Sequence, residues 1–128
     1  MINIQTTMRE WWAKNFPDAV SDEAFLGVVE EVGELSHAEL KHRQGIRGMD
    51  DPSKFEAAAK DAVGDILIFL NHYVELKGWD MEEIVRTTVA EVLPRDWQHD
   101  PRDATQGPPP IGLEDGSYVG PDGDPERG

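Results

Sequence analysis

The 128-residue chain contains no cysteine, which excludes disulfide bonds and thiolate metal sites and fits a reducing compartment. Long apolar runs are also absent, because the longest, residues 66–70, falls far short of the roughly 20 residues that span a bilayer. The first residues lack a basic stretch followed by an apolar one, so we expect no signal peptide. These absences predict a soluble, cytoplasmic protein with no membrane partner.

Basic residues are scarce: 12 Lys and Arg stand against 26 Asp and Glu, and the formal net charge is −14. Nucleic-acid backbones are bound by basic faces, so we expect no nucleic-acid partner. A polyphosphate ligand is still compatible with this charge, provided that a metal ion lies between the protein acids and the phosphates.

No segment shows the alternating pattern of a strand, and the apolar residues recur at helical spacing instead. The sequence therefore predicts an all-α antiparallel bundle of four helices. They span residues 3–15, about 21–44, 55–77 and 81–93. We expect Ser21 or Asp22 to cap the second helix. The residues predicted to form the core stripe of this helix are Phe25, Val28, Val32 and Leu35.

The third predicted helix is apolar over more than half of its circumference, which is typical of a largely buried helix. We therefore expect it to pack partly against another subunit, in a homodimer or homotetramer. Residues 99–128 hold six of the nine prolines and six of the twelve glycines, a composition that cannot form a packed helix or sheet. The predicted organisation is a domain at 1–98 and a disordered tail at 99–128, with a short extended piece at 108–113.

Three carboxylates, Glu30, Glu31 and Glu34, interrupt the apolar run of the second helix. Residues three and four apart share a helix face, and like charges there repel each other. A divalent cation between them would explain the arrangement. The alternatives are a solvated helix face and a di-iron site, since Glu34 and His37 form a Glu-x-x-His motif. The di-iron alternative is weak, because it requires a second such motif on a partner helix, and His72 on the third helix has Phe69 three residues before it.

The third helix carries a second acidic pair, Asp61 and Asp65, four residues apart. At an offset of 31 residues, the segment 30–35 matches the segment 61–66, and Gly33 and Gly64 fall at equivalent places. Glycine costs about 1 kcal/mol in a helix, so we interpret the two glycines as points of close helix approach. Two acidic helices so placed would form a cage of oxygen ligands, which suits Mg²⁺ or Mn²⁺.

The paired motif resembles that of the MazG-like family of all-α nucleoside triphosphate pyrophosphohydrolases. The family pattern is Glu-Glu-x-x-Glu, matched at residues 30–34, and then Glu-x-x-Asp, matched at Asp65 and followed by the apolar run 66–70. Looser matches, at Trp11 and at residues 15–17, 44–48 and 95–97, extend the resemblance over residues 4–97. The chain departs from the pattern at Ala62, where the family has an acid, and Asp61 is the candidate replacement.

The resemblance implies Mg²⁺-dependent cleavage of a nucleoside triphosphate between its α and β phosphates. The implied metal ligands are Glu31, Glu34, Asp61 and Asp65, and Glu30 would be the general base. The implied phosphate-binding residues are Lys41, Lys60, Arg47 and Arg95, and Trp11 and Asn71 would contact the nucleoside. Lys41 also fits the ordinary role of a cation near a helix C-terminus. Two alternatives are phosphoribosyl-ATP pyrophosphohydrolase and a non-catalytic bundle that binds a nucleotide or a partner through a degenerate metal site.

Overall fold

A computed structural model describes residues 2–102 and the backbone of residues 111–112 and 118–119. The helices are α1 (Ile4–Asn15), α2 (Ser21–Gln44), α3 (Pro52–Leu76) and α4 (Met81–Val92). The predicted all-α class is confirmed. The chain forms two compact units, Met1–Ile84 and Val85–Gly128, so that α1 to α3 lie in the first unit. None of the helices in the described segments is long and apolar enough to cross a membrane.

A pair of two-residue strands in the second unit was not predicted. Strand β1 (Ile111–Gly112) pairs antiparallel with β2 (Tyr118–Val119), with Ile111 opposite Val119 and Gly112 opposite Tyr118. Two residues are too short to show an alternating pattern, so sequence periodicity does not detect them. The predicted disorder of the tail falls mostly on residues 103–110, 113–117 and 120–128, which lie outside the described residues.

Turn chemistry sets most of the helix ends. Helix α2 ends at Gly45, which adopts the left-handed conformation at φ 69° and donates its N–H to carbonyls of the last turn. The Asp51 carboxylate caps α3 by accepting from the Ser53 N–H at 2.9 Å, as the acidic turn there predicts. The predicted cap of α2 is wrong: Val20 takes that position without a side-chain bond, and Ser21 and Asp22 lie within the first turn.

Helices α2 and α3 pack through small residues. The buried positions at this contact include Ala24, Gly27 and Ala38 on α2 and Ala62 on α3. The predicted core stripe of α2 is therefore wrong in part, because two of its four side chains are exposed and do not belong to the core. Phe25 is 54% exposed and Val32 is 46% exposed, whereas Val28 and Leu35 are half-buried.

The glycine of close helix approach is Gly27. A Cβ at Gly27 would overlap the ring of Phe69, which lies directly on the α2 backbone. The prediction that Gly33 and Gly64 mark the close approach is wrong, because a Cβ at either position would meet nothing within 4 Å. The sequence match between the two segments therefore does not reflect a shared packing role.

A polar cluster joins α1 to the C-terminal end of α3. The Gln5 amide donates to the Glu75 carboxylate at 2.7 Å and to the Trp79 carbonyl at 2.8 Å, and its oxygen accepts from the Met81 N–H at 2.8 Å. Arg9 donates from Nε to the same carboxylate at 2.6 Å. Both hydrogen-bonding groups of a buried glutamine are thereby satisfied, as burial requires.

We expect Glu75→Gln to lower the melting temperature at pH 7, and to do so less at acidic pH. The hydrogen bond and charge of Arg9 lower the pKa of Glu75 below its ordinary 4.5. Its contribution to stability is therefore complete above pH 4.5 and is lost as the pH falls through the lowered pKa. The measurement is the melting temperature of wild type and variant from pH 7 to strong acid. Glu10→Gln, on the exposed surface of α1, is the control. If the melting temperatures of Glu75→Gln and wild type differed by the same amount at every pH, the ion pair of Glu75 with Arg9 would not be as described.

Candidate active site

The structure brings the two acidic motifs together around one side chain. Glu31 on α2 is half-buried, as is Asp65 on α3. Burial raises the pKa of Glu31, and the negative charges of Asp65, Glu30, Glu34 and Asp61 raise it further. The four other predicted site acids therefore all act on Glu31, at the contact between α2 and α3.

The five carboxylates do not converge on one point. Within the described residues, no group of three or more acidic or histidine side chains is close enough to hold a metal ion. Glu30, Glu34 and Asp61 are exposed, and like charges in a shared site disfavour close approach when no counter-charge is present. The predicted ligand set therefore remains a prediction.

Ala62 occupies the position at which the resemblance requires an acid, and it is only 3% exposed. An acid there would have to be buried in the packed helix contact, where an unpaired charge is strongly disfavoured. Asp61, one residue earlier, is exposed and lies close enough to Glu31 to raise its pKa. Asp61 is thus the acid of this turn that can reach solvent.

An aromatic cavity of about 500 Å³ adjoins the acids. Asp65 belongs to its wall, and Glu23 is the second acid there. Most of the remaining wall is aromatic, contributed by α1, by the segment that follows it and by α3. These aromatic residues are Trp11, Trp12, Phe16, Phe69 and His72. A planar ligand fits the aromatic walls, and a substituent bound through a cation could lie at Asp65.

His72 is the polar group buried in this cavity wall. Its ring stacks on that of Trp12, with centroids 3.8 Å apart and planes 4° from parallel. Neither of its ring nitrogens, nor the Trp12 Nε1, has a hydrogen-bond partner in the described part of the chain. Burial lowers the pKa of His72, against a smaller opposing effect of Glu75, so the ring is neutral at pH 7. Because both nitrogens are buried, the ring contributes to the wall through its flat face and its stacking on Trp12.

His72 and Phe69 were not predicted as site residues. The usable signal was their spacing: Asp65, Phe69 and His72 follow one another at four and three residues on α3, which places them on one face. That spacing does not show that α1 would lie across the same face. The stacking partner, Trp12, is 60 positions away in the sequence, so only the fold reveals the cavity.

The predicted phosphate-binding residues have different local surroundings. Lys60 pairs with Glu56 on its own helix at 2.7 Å, and Lys41 donates to Gln44 at 3.0 Å. Arg47 is exposed in the loop after α2, where it adopts a positive φ of 56°. Arg95 belongs to the second compact unit, where its guanidinium lies over the Trp97 ring. Their roles toward phosphate stay predictions.

The other predicted polar residues have local partners. Asn71 is buried and donates to the Leu67 carbonyl of its own helix at 2.8 Å. His42 is half-buried and stacks on Phe55, with centroids 4.1 Å apart. His37 is exposed. Of the two predicted nucleoside contacts, the structure places Trp11 in the cavity wall.

Comparisons with known proteins gave no match: no protein-family model, no curated protein and no solved structure matches the chain. The site is accordingly defined by its own residues. Its two parts are the acids around Glu31 and the aromatic cavity, and Asp65 is common to both.

Proposed function

We propose that the chain is a metal-dependent nucleoside triphosphate pyrophosphohydrolase of the MazG-like type, active in sanitation or control of the nucleotide pool. One observation carries the proposal. Acids from two helices raise the pKa of the half-buried Glu31, and one of them, Asp65, also lines a cavity of aromatic side chains. A nucleoside triphosphate has the matching parts, a planar base and a polyphosphate that is bound through divalent cations.

The acids fit a divalent cation. Burial, and after it the charges of Asp65 and the other neighbouring acids, raise the pKa of Glu31, and a bound cation would offset that negative charge. Glu31 and Asp65 would hold Mg²⁺ or Mn²⁺ from the two helices, and the exposed Glu34 and Asp61 would complete the oxygen donors. When bound, such an ion neutralises phosphate charge and polarises the phosphoryl group.

Glu30 would serve as the general base. It is exposed on α2 and is close enough to Glu31 to raise its pKa, so it borders the proposed metal ligands. Its carboxylate would accept a proton from the attacking water as the new P–O bond forms. The anhydride bond between the α and β phosphates breaks, and the products are the nucleoside monophosphate and pyrophosphate.

The aromatic cavity would hold the base. Trp11 is 46% exposed and Trp12 is buried, so between them they offer both an accessible ring and a fixed wall. Stacking of a nucleobase on such side chains contributes about 1–3 kcal/mol. The His72 ring, stacked on Trp12, would hold that wall flat and fixed behind the base.

A substrate panel tests this function. The purified chain is incubated with Mg²⁺ and each common NTP and dNTP, together with phosphoribosyl-ATP, and pyrophosphate and phosphate are detected separately. We expect pyrophosphate release by wild type and by Glu39→Gln, an exposed α2 control, and background release by Glu34→Gln. Preference for phosphoribosyl-ATP would assign the chain to histidine biosynthesis instead. Tight nucleotide binding without turnover would assign it to the non-catalytic binding proteins.

A further inference from the structure

Glu23 is the acid of the aromatic cavity that the proposed chemistry leaves without a role. Among the described residues that line the cavity, only Glu23 and Asp65 have side-chain oxygens, and Asp65 is a proposed metal ligand. The ring nitrogens of His72 and the Nε1 of Trp12 belong to the same wall but are buried. The strong hydrogen-bond acceptor that this wall offers to a bound base is therefore the Glu23 carboxylate.

Glu23 lies at the opposite end of the cavity from the proposed metal ligands. Gly27 of α2 meets Phe69 of α3, and one turn later on α2, Glu31 is coupled to an acid one turn earlier on α3, Asp65. Glu23, Gly27 and Glu31 follow one another at four-residue intervals and so share a face of α2. At 1.5 Å per residue, Glu23 is about 12 Å from Glu31 along the helix axis. A nucleotide spans a similar distance from the outer edge of its base to its α phosphate.

The Glu23 carboxylate is available to a ligand. Glu23 is exposed, and within the described residues its carboxylate takes part in no hydrogen bond or ion pair. An acid in the first turn of a helix also has an ordinary role, because it complements the helix dipole. Asp22 shares that role, since it is an exposed acid of the same turn, but it is not among the described residues of the cavity wall. Asp22 therefore allows the two roles to be separated by experiment.

A carboxylate that faces the edge of a base selects for adjacent hydrogen-bond donors, because it has two acceptor oxygens and no donor. Guanine presents its N1–H and its N2 amino group side by side, so that each oxygen can accept from one of them. Adenine and cytosine have an acceptor nitrogen beside their amino group, and uracil and thymine have a carbonyl oxygen on each side of one N–H. In these four bases an acceptor would face a carboxylate oxygen, which leaves both groups without a partner.

We propose that Glu23 determines the base specificity of the cavity and that it favours guanine nucleotides. This assignment rests on the proposed function, which places the base in the aromatic cavity and the phosphates at the acids around Glu31. Guanine stacks on the aromatic wall, as bases do on such side chains. Its N1–H and its N2 amino group donate to the two oxygens of Glu23, while the triphosphate extends toward Asp65.

Glu23→Gln tests this role, and Asp22→Asn is the matched control. Each substitution removes one negative charge from the first turn of α2, but glutamine places a donor beside its acceptor, a pattern that pairs with adenine. In wild type we expect kcat/KM for GTP to exceed that for ATP at least about tenfold, with ITP, which lacks the N2 amino group, between them. Glu23→Gln should lower the ratio of GTP to ATP at least about tenfold, and Asp22→Asn should keep the wild-type ratio.

Calorimetry with Mg²⁺ and the α,β-methylene analogues of GTP and ATP measures base preference on the full chain without turnover. Tighter binding of the GTP analogue by wild type, lost in Glu23→Gln, would support the role of Glu23 even without pyrophosphate release, and only the proposed hydrolysis would then fail. Pyrophosphate release without a preference for GTP, or with a preference that Glu23→Gln leaves unchanged, would overturn the role of Glu23 and leave the hydrolysis standing. Binding of neither analogue would overturn both.

Discussion

A Glu31→Gln variant is expected to release pyrophosphate at least about 100-fold more slowly than wild type and yet to be more stable. The loss of activity follows from removing the acid at the centre of the proposed metal site, since even indirect support of a metal ligand is worth about 10–100-fold. The gain in stability follows from the charge around Glu31. Burial and four neighbouring acids raise its pKa, so its ionised form is disfavoured in the folded chain.

The difference in stability between Glu31→Gln and wild type should depend on pH. A carboxyl whose folded pKa lies above its unfolded value of 4.5 destabilises the fold progressively as the pH rises through that window. The melting temperature of Glu31→Gln should therefore exceed that of wild type at pH 7, and the difference should shrink below pH 4.5. Glu39→Gln should match wild type in activity and in melting temperature, both at pH 7 and below pH 4.5. An active Glu31→Gln enzyme, or one less stable than wild type at pH 7, contradicts the account.

Gly27→Ala is expected to destabilise the fold by about 1–3 kcal/mol, the usual cost of forcing extra atoms into a packed contact. The added methyl group would overlap the Phe69 ring, so either the ring or the two helices must move. Gly33→Ala is the matched control in the same helix. Its methyl group meets nothing within 4 Å, so it should stabilise by about 0.5–1 kcal/mol through its better helix propensity.

Urea unfolding followed by helical circular dichroism measures both substitutions. We expect the midpoint to fall for Gly27→Ala and to rise for Gly33→Ala, with an unchanged slope in each case, since neither alters the surface exposed on unfolding. Because Phe69 also lines the aromatic cavity, Gly27→Ala should weaken nucleotide binding, whereas Gly33→Ala should not. If the two variants moved the midpoint in the same direction, the contact between Gly27 and Phe69 would not be as described.

The helices were predictable because local signals set their ends. Pro17, Gly45, Gly78 and Pro94 bracket four apolar periodic segments, and the observed ends of these segments fall within a few residues of the predicted ones. Proline and glycine act through the backbone of their own neighbourhood, so the sequence is enough to place them. The cap of α2 is the exception, since Val20 takes it while stronger capping residues stand next to it.

Which face of α2 packs on α3 was not predictable from hydrophobicity. Two apolar stripes run along α2, and the larger side chains, such as Phe25 and Val32, favour the wrong one. The stripe that faces α3 carries Ala24, Gly27 and Ala38, because small residues let the backbones come close enough for Phe69 to lie on Gly27. That choice depends on shape complementarity between two helices, which neither helix shows alone.

The candidate site was also predictable only in part. The electrostatic coupling of Glu31 with Asp65 was predictable, because a strict helical spacing and a single helix contact bring both to the same place. The aromatic cavity was not, since Trp12 and His72 come together only when α1 packs across α3. The ion pair of the exposed Lys60 with Glu56, one turn away on the same helix, was not predicted either, although the spacing of the two residues allows it.

Titration with Mn²⁺ and an α,β-methylene nucleotide, followed by electron paramagnetic resonance, tests whether the acids of α2 and α3 bind a cation together with a nucleotide. The methylene group blocks cleavage at the proposed bond, so binding is measured without turnover. We expect wild type to bind the Mn²⁺–nucleotide complex, and Glu31→Gln and Asp65→Asn each to weaken binding at least about tenfold. Absence of Mn²⁺ binding by wild type, or equal affinity in all three proteins, would contradict a cation site between α2 and α3.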